Sequence, residues 1–471
     1  MNPLETSNII FVNGKKTIIS NVDHDITVLD LIRTNLKLSG TKEGCAEGDC
    51  GACSILVHDG LSSELKPINS CLVRVGQVVG RGIVTIEGVG NDLKPHPIQT
   101  AFSEENASQC GYCTPGFIVS GISLLNSNKK INDDTINDAI SGNLCRCTGY
   151  SPIIKAIKVA SKLSEPLKTI KFLEHNKNIK LGNVTYYNPK SLEEMLKLTI
   201  HKNYNFLAGG TDLNLRRPIV NEKQNIIICL DSISELKIHK MTNNNLIIGS
   251  CVSIEDFLGI VKNRIPELVE ILQRFGSPQI RNQGTIGGNI STSSPIGDLA
   301  PVLLALNSKI HLFGHDGDTS VLLRDFYLGY RKNILKKDQI IRSIEIPLPS
   351  KEYKFFCWKL SKRYDQDIST ISLSIYIKTK KNIIEDIHIA AGGVAEIPKY
   401  LESLCKIMIG KTIEVSVLTA INQIDKFVQP ISDLRGTSNY RIESLKGLFK
   451  RLERCLKENS NTMSIMDFKD E

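Results

Sequence analysis

Residues 8–19 alternate in polarity around Asn13-Gly14, with Ile9-Ile10-Phe11-Val12 on one side and Thr17-Ile18-Ile19 on the other. Asn-Gly accepts the positive φ angles of a tight turn, so this pattern predicts a β-hairpin. From Thr27 the apolar positions Val28, Leu29, Leu31 and Ile32 shift to helical spacing, with Thr27 near the N-cap of a helix running through Arg33. Ser54-Ile55-Leu56-Val57 reads as a strand, Asn69–Val73 returns to the same neighbourhood, and Val84–Gly88 closes a small β-rich unit near Gly90.

The period then changes. His96-Pro97 opens a helix through Phe102; Thr114 as cap and Pro115 open a second through Leu125. Asp133 or Asp134 caps a third through Ile136 and Ile140, and Ser151-Pro152 begins a fourth through Ile154, Ile157 and Val159, which together make a bundle of four short helices. A polar, basic stretch around Pro166 and His175-Asn176-Lys177-Asn178 reads as a connector. Beyond it, Ser191 and Glu194 form a capping box at the head of a helix, and Tyr204–Leu207 is a strand running into a glycine turn and a helix. A second glycine turn, Gln279–Thr292, leads through Ser294–Pro301 into an apolar helix.

A chain of 471 residues exceeds one ordinary core, so about three or four domains are expected. The net charge of +8 comes from lysines and arginines scattered among acids, with no basic block and no interleaved aromatics. That distribution describes a solvated surface and argues against a nucleic-acid partner. Met1 to Lys16 lack a basic segment followed by an apolar one, and no apolar run approaches the roughly 20 residues that cross a bilayer. A cytoplasmic protein without a membrane partner is expected. In a reducing compartment the 13 cysteines would not form a disulfide framework. Cys229, Cys251, Cys357, Cys405 and Cys455 lie singly and read as small buried hydrophobes.

The other eight carry the candidate chemistry. Cys45, Cys50 and Cys53 follow C-x4-C-x2-C, with Cys71 later, which is the plant-type ferredoxin spacing for a [2Fe–2S] cluster; structural zinc is the alternative. Gly44, Gly48 and Gly51 let the loop wrap closely, with N–H groups turned to the sulfurs. Cys110 and Cys113 form C-x2-C, and Cys145 and Cys147 form C-x-C. The C-x-C step is unusual for structural zinc and points to iron–sulfur, although spacing alone does not fix the type of this cluster. Both pairs precede helix starts, where free N–H groups favour negative charge. The glycine turns at Gly209-Gly210 and Gly287-Gly288 fit neither Rossmann nor P-loop patterns, and each alone reads as an ordinary turn; together they could grip one pyrophosphate.

The strings Cys45-Ala46-Glu47-Gly48-Asp49-Cys50-Gly51-Ala52-Cys53, Gln109-Cys110-Gly111-Tyr112-Cys113-Thr114-Pro115-Gly116 and Gly142-Asn143-Leu144-Cys145-Arg146-Cys147-Thr148-Gly149-Tyr150 resemble the two-cluster region of the xanthine dehydrogenase and aldehyde oxidase family of molybdenum hydroxylases. All eight cysteines match in order. The resemblance implies a second [2Fe–2S] cluster nearer a molybdenum–pterin cofactor, with Gln109 and Cys147 approaching the pterin; read by itself, Gln109 is a turn or capping amide. It continues through Phe206–Leu213, Phe275–Ile290 and Ser294–Val302, which look like the family's FAD-binding domain. Carried over by position, Ala208, Gly209, Gly210, Thr211 and Asp212, with Thr285 to Asn289 (Gly287, Gly288 and Asn289 among them), surround the FAD phosphates, and Leu207 also binds the cofactor. Asp298 would meet the ribityl or ribose region and Phe275 the isoalloxazine ring, a core aromatic being the alternative for Phe275. Gly329–Lys332 and Trp358–Ser369 resemble segments near the flavin and its nicotinamide partner, with Trp358 where tyrosine is expected. Lys359 would bind the cofactor, although it, Lys362 and Arg363 also read as solvated loop charges. Ile387–Ala395 and Ser432–Arg441 resemble the last flavoprotein subdomain and are expected to serve stability.

The expected fold class is therefore α+β multidomain. A β-grasp plant-type ferredoxin domain spans 1–90, a four-helix [2Fe–2S] domain 91–162 and a linker 163–182. A two-part α+β FAD-binding domain of the vanillyl-alcohol-oxidase and CO-dehydrogenase-flavoprotein type follows at 183–346, with a C-terminal α+β subdomain at 347–460 and a tail at 461–471. Function by resemblance is that of a separate electron-transfer subunit. Electrons from a molybdenum cofactor on a large partner subunit would pass through both clusters to FAD and on to NAD⁺, in a heterotetramer of two small and two large subunits. No side chain of this chain need act as a general base. The reducing substrate is expected to be hypoxanthine or xanthine, with an aldehyde or another N-heterocycle as the alternative, and an acceptor other than NAD⁺ is the alternative at the flavin.

Overall fold

Asn13 and Gly14 take φ of 51° and 79°, and the turn they make pairs β1 (Asn8–Val12) with β2 (Lys15–Ile19) antiparallel. Strands β3 (Ser54–His58), β4 (Lys66–Asn69) and β5 (Gly82–Val84) complete a sheet of order β2-β1-β5-β3-β4, with β1 and β5 parallel. This is the mixed sheet expected of a β-grasp unit. Thr27 caps the helical turn Val28–Asp30 through a full capping box with Asp30. The chain then widens into a π-turn, Leu31–Asn35, instead of continuing as an α-helix. The Thr34 hydroxyl takes the Asp30 carbonyl, the acceptor that an α-helical Thr34 N–H would use, which accounts for the widening.

The computed structural model describes residues 8–20, 22–60, 64–163, 166–168, 171, 178–201, 203–215 and 225–458; half of the connector (164–165, 169–170 and 172–177) and the tail (461–471) lie outside them. By compactness the chain divides into two units. One comprises Met1–Ser234 with Ser253–Glu255 and Gly276–Thr285, and the other Glu235–Val252, Asp256–Phe275 and Ile286–Glu471.

Within the first unit the four helices are Pro97–Glu104, Thr114–Leu125, Asp133–Ile140 and Ser151–Leu163. They enclose Ile98, Phe102, Phe117, Val119, Ile122, Ile136, Ile153 and Ile157. Two caps differ from expectation. Cys113, not Thr114, is the N-cap of the second helix, so the cysteine sits directly at the helix mouth while the Thr114 hydroxyl bonds Ser108. Asn132, not Asp133 or Asp134, caps the third, in a box with Thr135 that frees both aspartates to face the positive end of the dipole. A second sheet, β6 (Asn178–Leu181), β7 (Val184–Tyr187), β8 (Tyr204–Leu207) and β9 (Ile226–Cys229), runs β6-β7-β9-β8. Ile179, Val184, Tyr186 and Ile227 of this sheet share one core with Ile10, Ile55 and Ile83 of the first and with Val28 of the helical turn. Ser191 caps the helix Leu192–Leu198, but Glu194 turns its carboxylate to the Lys190 N–H, so the expected box is not closed. After the glycine turn the described chain makes a 3₁₀ turn, Leu213–Leu215; the rest of the helix expected there falls in residues 216–224, outside the described ones.

The second unit has a five-stranded sheet built from β10 (His239–Thr242), β11 (Asn245–Gly249), β12 (Lys309–Gly314), β13 (Gly317–Leu322) and β16 (Ile340–Pro347), in the order β10-β11-β16-β12-β13. Short strands β14 (Tyr327–Gly329) and β15 (Lys332–Asn333) pair separately. A four-stranded meander, β17 (Lys354–Leu360), β18 (Ile371–Lys380), β19 (Ile383–Gly392) and β20 (Lys399–Tyr400), packs its apolar face against helices Glu402–Met408, Ile413–Gln423 and Ser438–Lys457. Arg441 of the last helix is buried, donating to the Thr370 and Gly393 carbonyls and to Asp433. The segment Ser432–Arg441 therefore serves stability, as expected. The architecture is α+β and multidomain.

Candidate metal and cofactor sites

The eight clustered thiols come together two by two. In the first loop the Cys53 and Cys71 sulfurs lie 3.3 Å apart, and Cys45 and Cys50 are hydrogen-bonded to each other. In the second, Cys110 pairs with Cys147 and Cys113 with Cys145. All are free thiols. Among the described residues no group of three or more His, Cys, Asp or Glu could hold one metal ion. Pairs of thiolates are what a two-iron cluster requires, two on each iron, whereas a zinc ion gathers four donors around one point. The donor set thus fits two [2Fe–2S] clusters better than two zinc ions.

The first loop supplies charge compensation from its own backbone. Cys45 Sγ accepts from the N–H groups of Asp49 at 3.2 Å, Cys50 at 3.3 Å and Glu47 at 3.5 Å. The Cys50 thiol and these N–H groups bring the Cys45 thiol down to about 5 against the opposing effect of burial. Its partner Cys50 is pushed up, because the hydrogen bond it gives Cys45 is lost on ionisation. The same asymmetry holds between Cys53, lowered by Cys71, and Cys71, raised. Gly51, at φ 67°, leaves no room for a Cβ, which would overlap the Gly142 carbonyl.

The second loop is more open. Cys110 and Cys147 are exposed, with exposed Gln109, Tyr112 and Leu144 around them, while Cys113 and Cys145 are half-buried. Burial, followed by the hydrogen bond to Cys145, pushes the Cys113 thiol up to about 12. Burial also opposes ionisation of Cys145, but the Thr148 hydroxyl at 3.1 Å and the Thr148 N–H at 3.4 Å outweigh it and lower this thiol. Of the lone cysteines, Cys229, Cys251, Cys405 and Cys455 are buried and Cys357 is half-buried.

Leu207 to Asp212 and Thr285 belong to the first unit. Gly209 lies so close to the Gln283 carbonyl that a Cβ there would overlap it, so the first glycine turn abuts the approach to Thr285. Asn214 holds this turn: its amide donates to the Leu72 carbonyl and to Gln77 Oε1, each at 2.7 Å, and its N–H to Gly210. Phe275, Gly287, Gly288, Asn289, Asp298 and Lys359 belong to the second unit. Asn289 Oδ1 is buried without a hydrogen-bond partner among the described residues, an acceptor left for a bound group. Phe275 is half-buried. Lys359 is no solvated charge: it is 5 % exposed and donates to Asp298 at 2.7 Å and to the Arg274 carbonyl at 2.8 Å. Ser369 donates to the second oxygen of Asp298, so this carboxylate is already doubly engaged. Lys362 and Arg363 are exposed, and Trp358 points from the opposite face of β17 into the core.

Four family matches cover this layout in order. Residues 10–76 match the 2Fe-2S iron-sulfur cluster binding domain and 85–158 the [2Fe-2S] binding domain. Residues 180–349 match the FAD binding domain in molybdopterin dehydrogenase, and 356–456 the CO dehydrogenase flavoprotein C-terminal domain. The chain is 30% identical over 455 residues to the xanthine dehydrogenase/oxidase of Rattus norvegicus, covering 82% of this chain and 34% of that protein. With the xanthine dehydrogenase of Emericella nidulans the identity is 29% over 463 residues, 82% and 34% of the two chains. It thus spans about a third of the length of the curated relatives it matches. A carbon monoxide dehydrogenase structure from Hydrogenophaga pseudoflava superposes with TM-score 0.53 at 25% identity, over 56% of this chain and 94% of that one. Quinoline 2-oxidoreductase from Pseudomonas putida 86 shares the fold, with TM-score 0.54 at 21% identity over 60% of this chain and 100% of that one. With two [2Fe–2S]-binding domains, an FAD-binding domain and a flavoprotein C-terminal domain in one polypeptide, the chain is homologous to the N-terminal part of the xanthine dehydrogenases.

Proposed function

We propose that this chain is the electron-transfer subunit of a xanthine dehydrogenase, carrying electrons from a molybdenum–pterin cofactor on a large partner subunit to FAD and then to NAD⁺. The observation that carries this reading is the two-by-two pairing of eight thiols in two loops of one unit, upstream of an FAD-binding domain. Cys45, Cys50, Cys53 and Cys71 hold the first cluster, and Cys110, Cys113, Cys145 and Cys147 the second. Exposed Cys110 and Cys147, beside exposed Tyr112 and Leu144, suit a cluster that receives electrons from another polypeptide. Bound FAD would add a carrier able to take electrons singly and release them as a pair. Its ligands are Leu207 to Asp212, Phe275, Thr285, Gly287, Gly288, Asn289, Asp298 and Lys359. The proposed assembly has two small and two large subunits in the cytoplasm; among the described residues no helix is long and apolar enough to cross a membrane. The domain limits 1–90, 91–162, 183–346 and 347–460 are part of this reading.

Co-purification with the large subunit, followed by an assay pairing hypoxanthine with NAD⁺, tests it. Reduction of NAD⁺ is expected. Cluster bleaching by an aldehyde or another N-heterocycle but not by purine would transfer the proposal to a related hydroxylase, the reading favoured by the fold shared with quinoline 2-oxidoreductase. The flavin assignment has its own test. In Gly209→Val the added side chain would overlap the Gln283 carbonyl and crowd the Gly284 N–H, so FAD released on denaturation is expected to fall well below one per chain with both cluster signals kept. Undiminished flavin in that variant would remove the first glycine turn from the site.

A further inference from the structure

The two thiol loops are hydrogen-bonded to each other. The Leu144 N–H, one residue before Cys145, donates to the carbonyl of Cys50 at 3.0 Å, and the Tyr112 hydroxyl, between Cys110 and Cys113, donates to the Glu43 carbonyl. Asn143 Nδ2 donates to the Gly51 carbonyl at 3.1 Å, and Ser120 donates to Asn143 Oδ1 at 2.7 Å. From one cysteine of the first cluster to one of the second the path is therefore covalent bonds and a single hydrogen bond: Cys50, its carbonyl, the Leu144 N–H, Cys145.

What holds this junction comes from far along the chain. Gln279 is fully buried, and its Nε2 lies 3.1 Å from Ser54 Oγ, 3.2 Å from Ser120 Oγ and 3.1 Å from Asn143 Oδ1. Ser54 already donates to the Gly51 carbonyl and Ser120 to Asn143, so both hydroxyls present lone pairs, which fixes the amide nitrogen as the group facing them. Gln279 Oε1 packs on the bare Cα of Gly142, where a Cβ would overlap it. Next door, Ile280 packs against Cys53, Cys71 and Leu72. Ser277 to Arg281 leads in sequence towards Gly287-Gly288, yet it belongs to the same unit as the two thiol loops.

We propose that Gln279 is a positioning residue for electron transfer between the two clusters, keeping the Cys50 carbonyl on the Leu144 N–H by gripping Ser54, Ser120 and Asn143 at once. The step it serves moves one electron from the reduced second cluster to the oxidised first; no bond breaks and no proton moves. Electron tunnelling falls off less steeply through bonds and hydrogen bonds than across a gap, so a loosened junction slows the step without altering either set of ligands. The inference rests on the two-cluster reading given above.

The test is Gln279→Leu in the full chain loaded with both clusters. With both clusters reduced, electron paramagnetic resonance of the wild type is expected to show two [2Fe–2S] signals with mutual spin–spin splitting. In the variant both signals and the iron content are expected to persist, while the splitting narrows and, after photoreduction of the second cluster, equilibration with the first slows. Wild-type splitting and equilibration at full occupancy would overturn the role of Gln279 and leave the two-cluster reading intact. Failure to find two [2Fe–2S] signals in the wild type would defeat that reading instead. Should the leucine variant lose its clusters, Ser54→Ala decides, since it removes one contact of the amide and spares the others: narrowed splitting supports the proposal, unchanged splitting rejects it.

Discussion

Cys147→Ser is expected to abolish the spectroscopic signal of one [2Fe–2S] cluster and leave the other, with iron falling by about half and FAD unchanged. The side chain is exposed and pairs with Cys110, so its loss opens one iron of the second pair of thiols without disturbing a core. A serine hydroxyl ionises far less readily than a thiol and is a poorer ligand for a sulfide-bridged iron. The first loop has its own four thiols and its own N–H donors at Cys45, and should not register the change. Persistence of both signals would sink the ligand assignment.

Arg281→Met is expected to destabilise the protein by about 3 kcal/mol, the lower end of the cost of stripping one partner from a buried ion pair. The Arg281 side chain is completely buried, with Nε 2.7 Å from Glu255 and Nη2 2.7 Å from Asp138. Lys129 reaches both acids, at 3.3 Å and 4.0 Å, and this second cation moderates the loss. Methionine keeps much of the volume, so packing contributes little and the exposed effect is electrostatic. Burial favours the neutral Glu255, but Arg281 and Lys129 overcome it and hold its carboxyl below the ordinary value. A carboxylate depressed in this way contributes stability above its unfolded pKa and loses it as pH falls through the folded one. The wild-type advantage should therefore be complete near neutrality and shrink below about pH 4. Urea midpoints of the two proteins between pH 7 and pH 3.5 check both size and trend; a gap that does not narrow in acid would mean that packing, not charge, sets the difference.

Chemistry carried by spacing was legible in the sequence, and chemistry assembled across long separations was not. C-x4-C-x2-C, the C-x-C step and Asn13-Gly14 are local constraints, and the loops and hairpin follow them closely. Helix starts are legible, and Thr27 and Ser191 cap as expected, but two caps lie one residue away, because Asn132 against Asp133, or Cys113 against Thr114, is settled by one residue of phase that apolar periodicity does not resolve. Glu194 chose the Lys190 N–H over the box for a similar reason. Lys359 could not be told from its neighbours Lys362 and Arg363 in sequence; its place on an inward face of β17, with Asp298 opposite, makes it a buried ion. Gln279 and Arg281 carry no signal of their own in the sequence. They sit eight and six residues before Gly287 and so read as part of the flavin turn. Apart from Glu255, 26 residues before Arg281, their partners Ser54, Ser120, Asn143 and Asp138 are more than a hundred residues away.

The same separation bears on how the protein can be cut. A fragment ending after the helix Ser151–Leu163 contains every clustered cysteine, and by sequence it looks like a self-sufficient ferredoxin pair. Yet it lacks the buried glutamine between the two loops, the isoleucine over Cys53 and Cys71 and the arginine beside Asp138. Such an excised fragment would expose the amide of Asn143 and the apolar wall of the first loop to water and oxygen. An electron carrier borrowed from this chain for use elsewhere would need residues 276–285 grafted back to it, whatever is done with the flavin.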